Sequence, residues 1–216
     1  WNPHLVGGMS FVGDIQSGIF YPLNLLTFFV SSPLTFRDLE FLSVLHFFIA
    51  GAGMYAFLRH GKWQVSGFKF QVSSSNLKPE TLNLKLSRPA SLAGAIAFEF
   101  SDLFITHFGN LNLIATIAWM PLVLLFYHRA VTDRRASFAA IAGILLAVAF
   151  LAGHIQMFLF IVIALALFAL YHTITNYQLR ISNLQSPISL LFLTALVAFG
   201  LSAPVLLPSI EMAQNT

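Results

Sequence analysis

No cysteine occurs in this sequence, and only 9% of its 216 residues are charged. The first absence excludes a disulfide framework and a thiolate metal site. The second excludes an ordinary soluble domain, which needs about a quarter of its residues charged to cover its surface. Lipid must therefore cover much of the chain. No phosphate-cradling loop is present, because "GGMS" and "GAGM" lack the lysine and the strand context. There is no nucleophile elbow and no signal-type start. The chain opens on Trp1 and stops after a hydrophobic run at "EMAQNT", so we expect an internal piece of a larger polytopic protein.

What is present is hydrophobic, at 57% of residues. Residues 136–179 hold no Asp, Glu, Lys or Arg, enough for two crossings of ~20 residues each. The turn between them belongs at "AGHIQ", where Gly153, His154 and Gln156 interrupt the aliphatic pattern. Further spans are expected over 39–60, 88–107, 111–130 and 187–207. The fold expected is an all-α polytopic membrane protein with about six transmembrane helices. Its parts are a loop segment over 1–38, a transmembrane helix over 39–61, a polar insertion over 62–87 and a five-helix region over 88–216.

An even number of spans puts both ends on one side, and charge then sets the side. Arg59, Lys62, Lys69, Lys78, Lys85, Arg88, Arg129, Arg134, Arg135 and Arg180 fall on one side, leaving only Arg37 on the other. Positive charge stays in the cytoplasm. The opening segment and the C-terminal end are therefore expected outside, and the basic loops inside. The insertion "GKWQVSGFKFQVSSSNLKPETLNLKLS" is polar and lysine-rich, so it reads as linker-like or weakly β, without catalytic chemistry. Ala139, Gly143 and Ala147, and the run "AGAG" at 50–53, are small enough for close helix approach.

The expected outer side collects the chemistry. His4, Asp14 and Gln16 lie in the opening loop; Glu99 and Asp102 are three apart, on one helical face. His107, Asn110 and Asn112 form the next outer turn, His154 and Gln156 the one after, and Glu211 follows the last span. Glu99 interrupts "GAIAFEFSDLF" inside an apolar pattern. A charge there costs ~2.5–3.5 kcal/mol at mid-span, which a wet cavity, a partner or a proton relieves. Asp14 in "VGDIQSG" has turn chemistry, so an Asx-turn is the default for it. Asp102 is as easily a cap at the helix end or the start of a re-entrant turn. Two histidines with carboxylates are ligand types for a divalent metal, but no HExxH spacing supports one. The metal stays open. His46, mid-span in "SVLHFFIAG", is expected to bond between helices rather than relay protons.

The opening "WNPHLVGGMSFVGDIQSGIFYPLN" resembles the first outer loop of the YfhO-like bacterial membrane proteins, with W-N-P, G-G, D-x-Q-S-G and F-Y-P-L-N in order. The resemblance continues through "LHFFIAGAGMYAFLR", "LSRPASLAGAIAFEFSD", "HFGNLNLIATIAWMPLVLL" and "LAGHIQ", and omits the insertion. It implies a bacterial plasma-membrane protein similar to the GT-C class of glycosyltransferases, which take sugars from polyprenyl-phosphate carriers on the outer face. In that class an acid of the first outer loop acts as base or metal ligand, and a cavity with re-entrant segments holds the lipid phosphate. The family's earliest loop acid is expected upstream of Trp1.

On that reading Asp14, Glu99 and Asp102 are the catalytic candidates. His4, Gln16, Arg37, His107, Asn112, His154 and Gln156 are the substrate-binding ones, Arg37 being the only outer cation. The implied partners are the bilayer and a polyprenyl-phosphate sugar donor, not nucleic acid. The competing expectation is a transporter or flippase of lipid-linked glycans. Such a protein needs polar groups near the midplane and on both sides.

Overall fold

The computed structural model describes residues 13–31, 33–61, 63–65, 82–84, 86–175 and 186–214. His4, Lys62, Lys69, Lys78, Lys85 and Arg180 lie outside these residues. After a 3₁₀ turn at Ile15–Ser17, the helices are α1 (Pro22–Val30), α2 (Phe36–His60), α3 (Arg88–Glu99) and α4 (Asp102–Thr106). They continue as α5 (Leu111–Ile117), α6 (Met120–Thr132), α7 (Ala136–Leu151), α8 (Ile155–Thr175) and α9 (Pro187–Gln214). Among the described residues, the exception to an all-α fold is one antiparallel hairpin in the insertion, β1 (Trp63–Val65) and β2 (Leu82–Leu84), with Trp63 opposite Leu84 and Val65 opposite Leu82.

Local chemistry explains the starts and stops. The Asp38 carboxylate accepts hydrogen bonds from the Thr35 backbone N–H and hydroxyl and from the Ser31 hydroxyl, closing the first turn of α2. Ser87 accepts from the Ala90 N–H at the start of α3, and Asn110 from the Leu113 N–H at the start of α5. α5 ends at Ile117 and α6 resumes at Met120 because Pro121 has no N–H to return to the Ile117 carbonyl. Gly153, at φ +91°, ends the α7 pass and turns the chain into α8.

The helices run back and forth between the two ends of a bundle. Among the described residues, four helical stretches are long and apolar enough to cross a membrane: Phe36–His60, Leu111–Thr132, Ile155–Thr175 and Pro187–Gln214. The chain is thus an α-helical membrane protein. The other two passes depart from the expected spans. α7 is apolar but has 16 residues, ~24 Å of helix against a hydrocarbon core of ~30 Å. The pass expected over 88–107 is broken at Phe100–Ser101, with α3 stopping at Glu99 and Ser101 preceding α4. Residues 1–38, expected as loop, hold α1 and the first turn of α2.

The axis of the bundle is the α5–α6 pass, the most deeply buried of these four stretches. α2, α7, α8 and α9 surround it. α7 and α9 meet most closely: a side chain at Gly143 would come within 2.6 Å of the Thr194 carbonyl oxygen, and the Thr194 hydroxyl donates to the Ala139 carbonyl at 3.1 Å. The small-residue stripe on α7 is therefore the seat of α9. The outer faces of α2, α8 and α9 carry exposed Phe41, Phe48, Leu159, Leu167, Phe192 and Phe199, as lipid contact requires.

Candidate functional site at the loop end of the bundle

The opening loop packs on the end of the bundle where α7 turns into α8. Its backbone is set by its own residues first. Asp14 Oδ1 accepts from the Gln16 N–H at 2.9 Å, the Asx-turn that its sequence favours. Gly18 then takes φ +57°, and the Asn24 side chain donates to its carbonyl at 3.1 Å.

Five contacts from distant parts of the chain hold this loop. Asn112 Nδ2 of α5 donates to the Gln16 carbonyl at 2.6 Å. Ser209 Oγ of α9 lies 2.7 Å from the Gly13 carbonyl. Gly153 packs so tightly that a Cβ there would fall 2.8 Å from the Ile15 carbonyl. The last two contacts converge on Tyr21, which is 1% exposed. Trp119 Nε1–H donates to the Tyr21 hydroxyl at 2.9 Å, and that hydroxyl lies 2.6 Å from His46 Nε2. His46 Nδ1 lies 2.5 Å from the Leu42 carbonyl, so it must carry the proton. Nε2 is then the acceptor, and Tyr21 donates to it. The hydrogen bonds run in one direction from Trp119 to Tyr21 to His46 to Leu42. Burial pushes the Tyr21 hydroxyl pKa above its ordinary value, which keeps the donor protonated.

This arrangement brings together Asp14, Gln16 and Asn112, beside the turn that carries His154 and Gln156. His154 Nδ1 accepts from the Met157 N–H at 3.3 Å, and its Nε2 makes no hydrogen bond among the described residues. Chemically, the cluster offers a carboxylate, an imidazole nitrogen and amides beside a fixed backbone. That is a base with hydrogen-bonding groups around it.

Other candidates lie elsewhere. Glu99 sits against Gly51 of α2, five residues after His46. Five residues are ~140° around a helix and ~7 Å along it, so Glu99 and Tyr21 use different faces and levels of α2. Asp102 and His107 are exposed on and after α4, His107 Nδ1 lying near the Thr106 hydroxyl and the Leu103 carbonyl. Among the described residues, no hydrogen bond or ion pair joins Glu99, Asp102 or His107 to Asp14, Gln16 or His154. Arg37 is exposed in the first turn of α2. No group of three His, Asp or Glu side chains is placed to hold a metal ion among the described residues.

Sequence reasoning missed two features. Tyr21 and Trp119 carried no signal, because an aromatic in an apolar chain looks like packing. At the opposite end, His128 and His172 are both buried, with Nδ1 and Nε2 3.0 Å apart. They lie 44 residues apart on different helices, so no spacing rule finds them.

Comparison with protein-family models, with curated proteins and with solved structures returns no match for this chain.

Proposed function

We propose that this chain belongs to a membrane glycosyltransferase that moves a sugar from a polyprenyl-phosphate carrier to an acceptor of the cell envelope. On this reading it crosses the bacterial plasma membrane six times, with the opening loop and the end of α9 outside. The observation that carries the proposal is the anchored polar loop at the end of the bundle away from the basic loops. A base for an acceptor hydroxyl must be held still and must be reachable from outside. Asp14 meets both needs, being half-buried in a loop tied down by Asn112, Ser209, Gly153 and Tyr21. Gln16, His154 and Gln156 border it, and Arg37 is the cation available to the leaving phosphate.

One observation favours a second reading, a transporter or flippase of lipid-linked glycans. Glu99, at the end of α3, lies against Gly51 well inside α2, where a polar group lines a substrate path more readily than it serves surface chemistry. The complete protein in membranes, given a labelled polyprenyl-phosphate sugar, separates the two. The transferase reading expects Asp14→Asn to abolish sugar transfer at unchanged expression while Glu99→Gln retains it. Movement of the labelled lipid between leaflets without transfer, lost in Glu99→Gln, would replace it with the second reading.

A further inference from the structure

The placement of Glu99 follows from how α3 lies on α2. The two helices run antiparallel: a Cβ at Gly94 would meet Leu58 Cδ1 at 2.5 Å, and one at Gly51 would collide with the Glu99 carboxyl group, whose carbon lies 3.0 Å away. Glycine at 51 thus leaves a slot in α2 that the carboxyl group fills. Two registers give its depth. Glu99 stands eleven residues, ~16 Å, from Arg88 at the basic end of α3, and Gly51 stands nine residues, ~13 Å, from His60 at the basic end of α2. The hydrocarbon core is ~30 Å thick, so both place the carboxyl group close to its centre.

Its surroundings are apolar. Phe48, Leu92, Ile96 and Phe100, on the outer surface of the same helix pair, are all about half or more exposed. Glu99 itself is half-buried and makes no hydrogen bond or ion pair among the described residues. The titratable groups on the elements packed against it do not compensate it. On α2, Tyr55 lies one turn beyond Gly51, and His46 is committed to Tyr21 and Leu42. On α4, Asp102 is exposed and carries the same sign. Arg59 and Arg88 sit at the basic end, and Arg37 at the other.

We propose that Glu99 is a proton-binding carboxyl group, seated by Gly51 in the bilayer interior and open on the lipid side of the α2–α3 pair, and hence the chain's reaction site for hydrophobic carbodiimides. A carboxylate at this depth, with neither cation nor donor beside it, is stabilised by taking up a proton. The protonated acid is also the form that reacts. Its oxygen bonds to the central carbon of the carbodiimide while its proton passes to one reagent nitrogen, giving an O-acylisourea. Acyl migration to nitrogen then leaves a stable N-acylurea that retains every atom of both reactants. This inference rests on neither functional reading above.

The test treats the complete protein in native membranes, at neutral pH, with dicyclohexylcarbodiimide or with a water-soluble carbodiimide, and maps the adducts by peptide mass spectrometry. The hydrophobic reagent should add its full mass to the peptide carrying Glu99, and the adduct should vanish in Glu99→Gln. The water-soluble reagent should modify Glu211, exposed near the end of α9, and leave Glu99 untouched. Modification of Glu99 by the water-soluble reagent at a rate matching Glu211 would show a wet carboxylate and overturn the proposal. So would a Glu99 that neither reagent reaches, since another element must then cover it. Both results are independent of whether the protein transfers or moves a sugar.

Discussion

The Tyr21 hydroxyl donates to His46 Nε2 at 2.6 Å, tying the opening loop to the middle of α2. With Trp119 donating to the same oxygen, a single phenol satisfies two otherwise unpaired nitrogens, one buried on His46 and one part-buried on Trp119. Tyr21→Phe leaves both nitrogens without a partner. The expected cost is ~1–3 kcal/mol, the penalty of unmade buried hydrogen bonds. Thermal unfolding of the detergent-purified protein should fall measurably, and a protease should cut the loop sooner. A melting curve that overlays the parent would mean that the three groups are bonded otherwise.

Gly153 is needed for two separate reasons, its φ of +91° and the Ile15 carbonyl, which a Cβ there would meet at 2.8 Å. Gly153→Ala should therefore lift the loop as well as strain the turn, with a cost of ~1–3 kcal/mol for the backbone alone. Gly200 is the control, because it lies inside α9 and a methyl group added there would meet nothing within 4 Å. Gly200→Ala should be neutral or stabilise by up to ~1 kcal/mol. Equal melting temperatures for the two variants would refute the packing of the turn on the loop.

The α7–α9 contact makes a similar contrast. Gly143→Ala pushes a methyl group against the Thr194 carbonyl and Val197, and backbone cannot swing aside as a side chain can. Destabilisation of ~1–3 kcal/mol is expected, read as lost monodispersity or a lower melting temperature. Gly109→Ala, in open space after α4, should leave both unchanged.

Orientation is open to a direct measurement because the chain has no cysteine. Single cysteines at Glu211 and at Arg134, both exposed, report the two ends of the bundle. A membrane-impermeant maleimide applied to intact cells should label position 211 and spare position 134. The reverse pattern would invert the protein and remove the loop from the outer face.

In the insertion, the pairing of Val65 with Leu82 brings the ends of residues 66–81 together. Replacing 66–81 with Asn-Gly, a turn suited to a two-residue hairpin, should leave expression and insertion intact. Loss of membrane-inserted protein on that replacement would show that the removed residues stabilise the fold.

The sequence by itself determined the membrane class, the long apolar helices and the turns, because each depends on residues near one another in the chain. Charge-free runs bound α7 and α8, Gly153 marks their turn, and "VGDIQSG" folds as the Asx-turn it reads as. The polar run Glu99–Asp102 hinted at a helix end, but where the pass breaks, at Phe100–Ser101, was not legible from it. Which polar residues meet was decided only by the tertiary structure. Tyr21 bonds a residue 25 positions away, Asn112 one 96 away and Ser209 one 196 away. Periodicity tells which face of a helix is apolar, but not which neighbour that face will find. Glu99 shows the same limit, since its seat is a glycine on another helix. A missing side chain at Gly51 has meaning only once α3 lies against it.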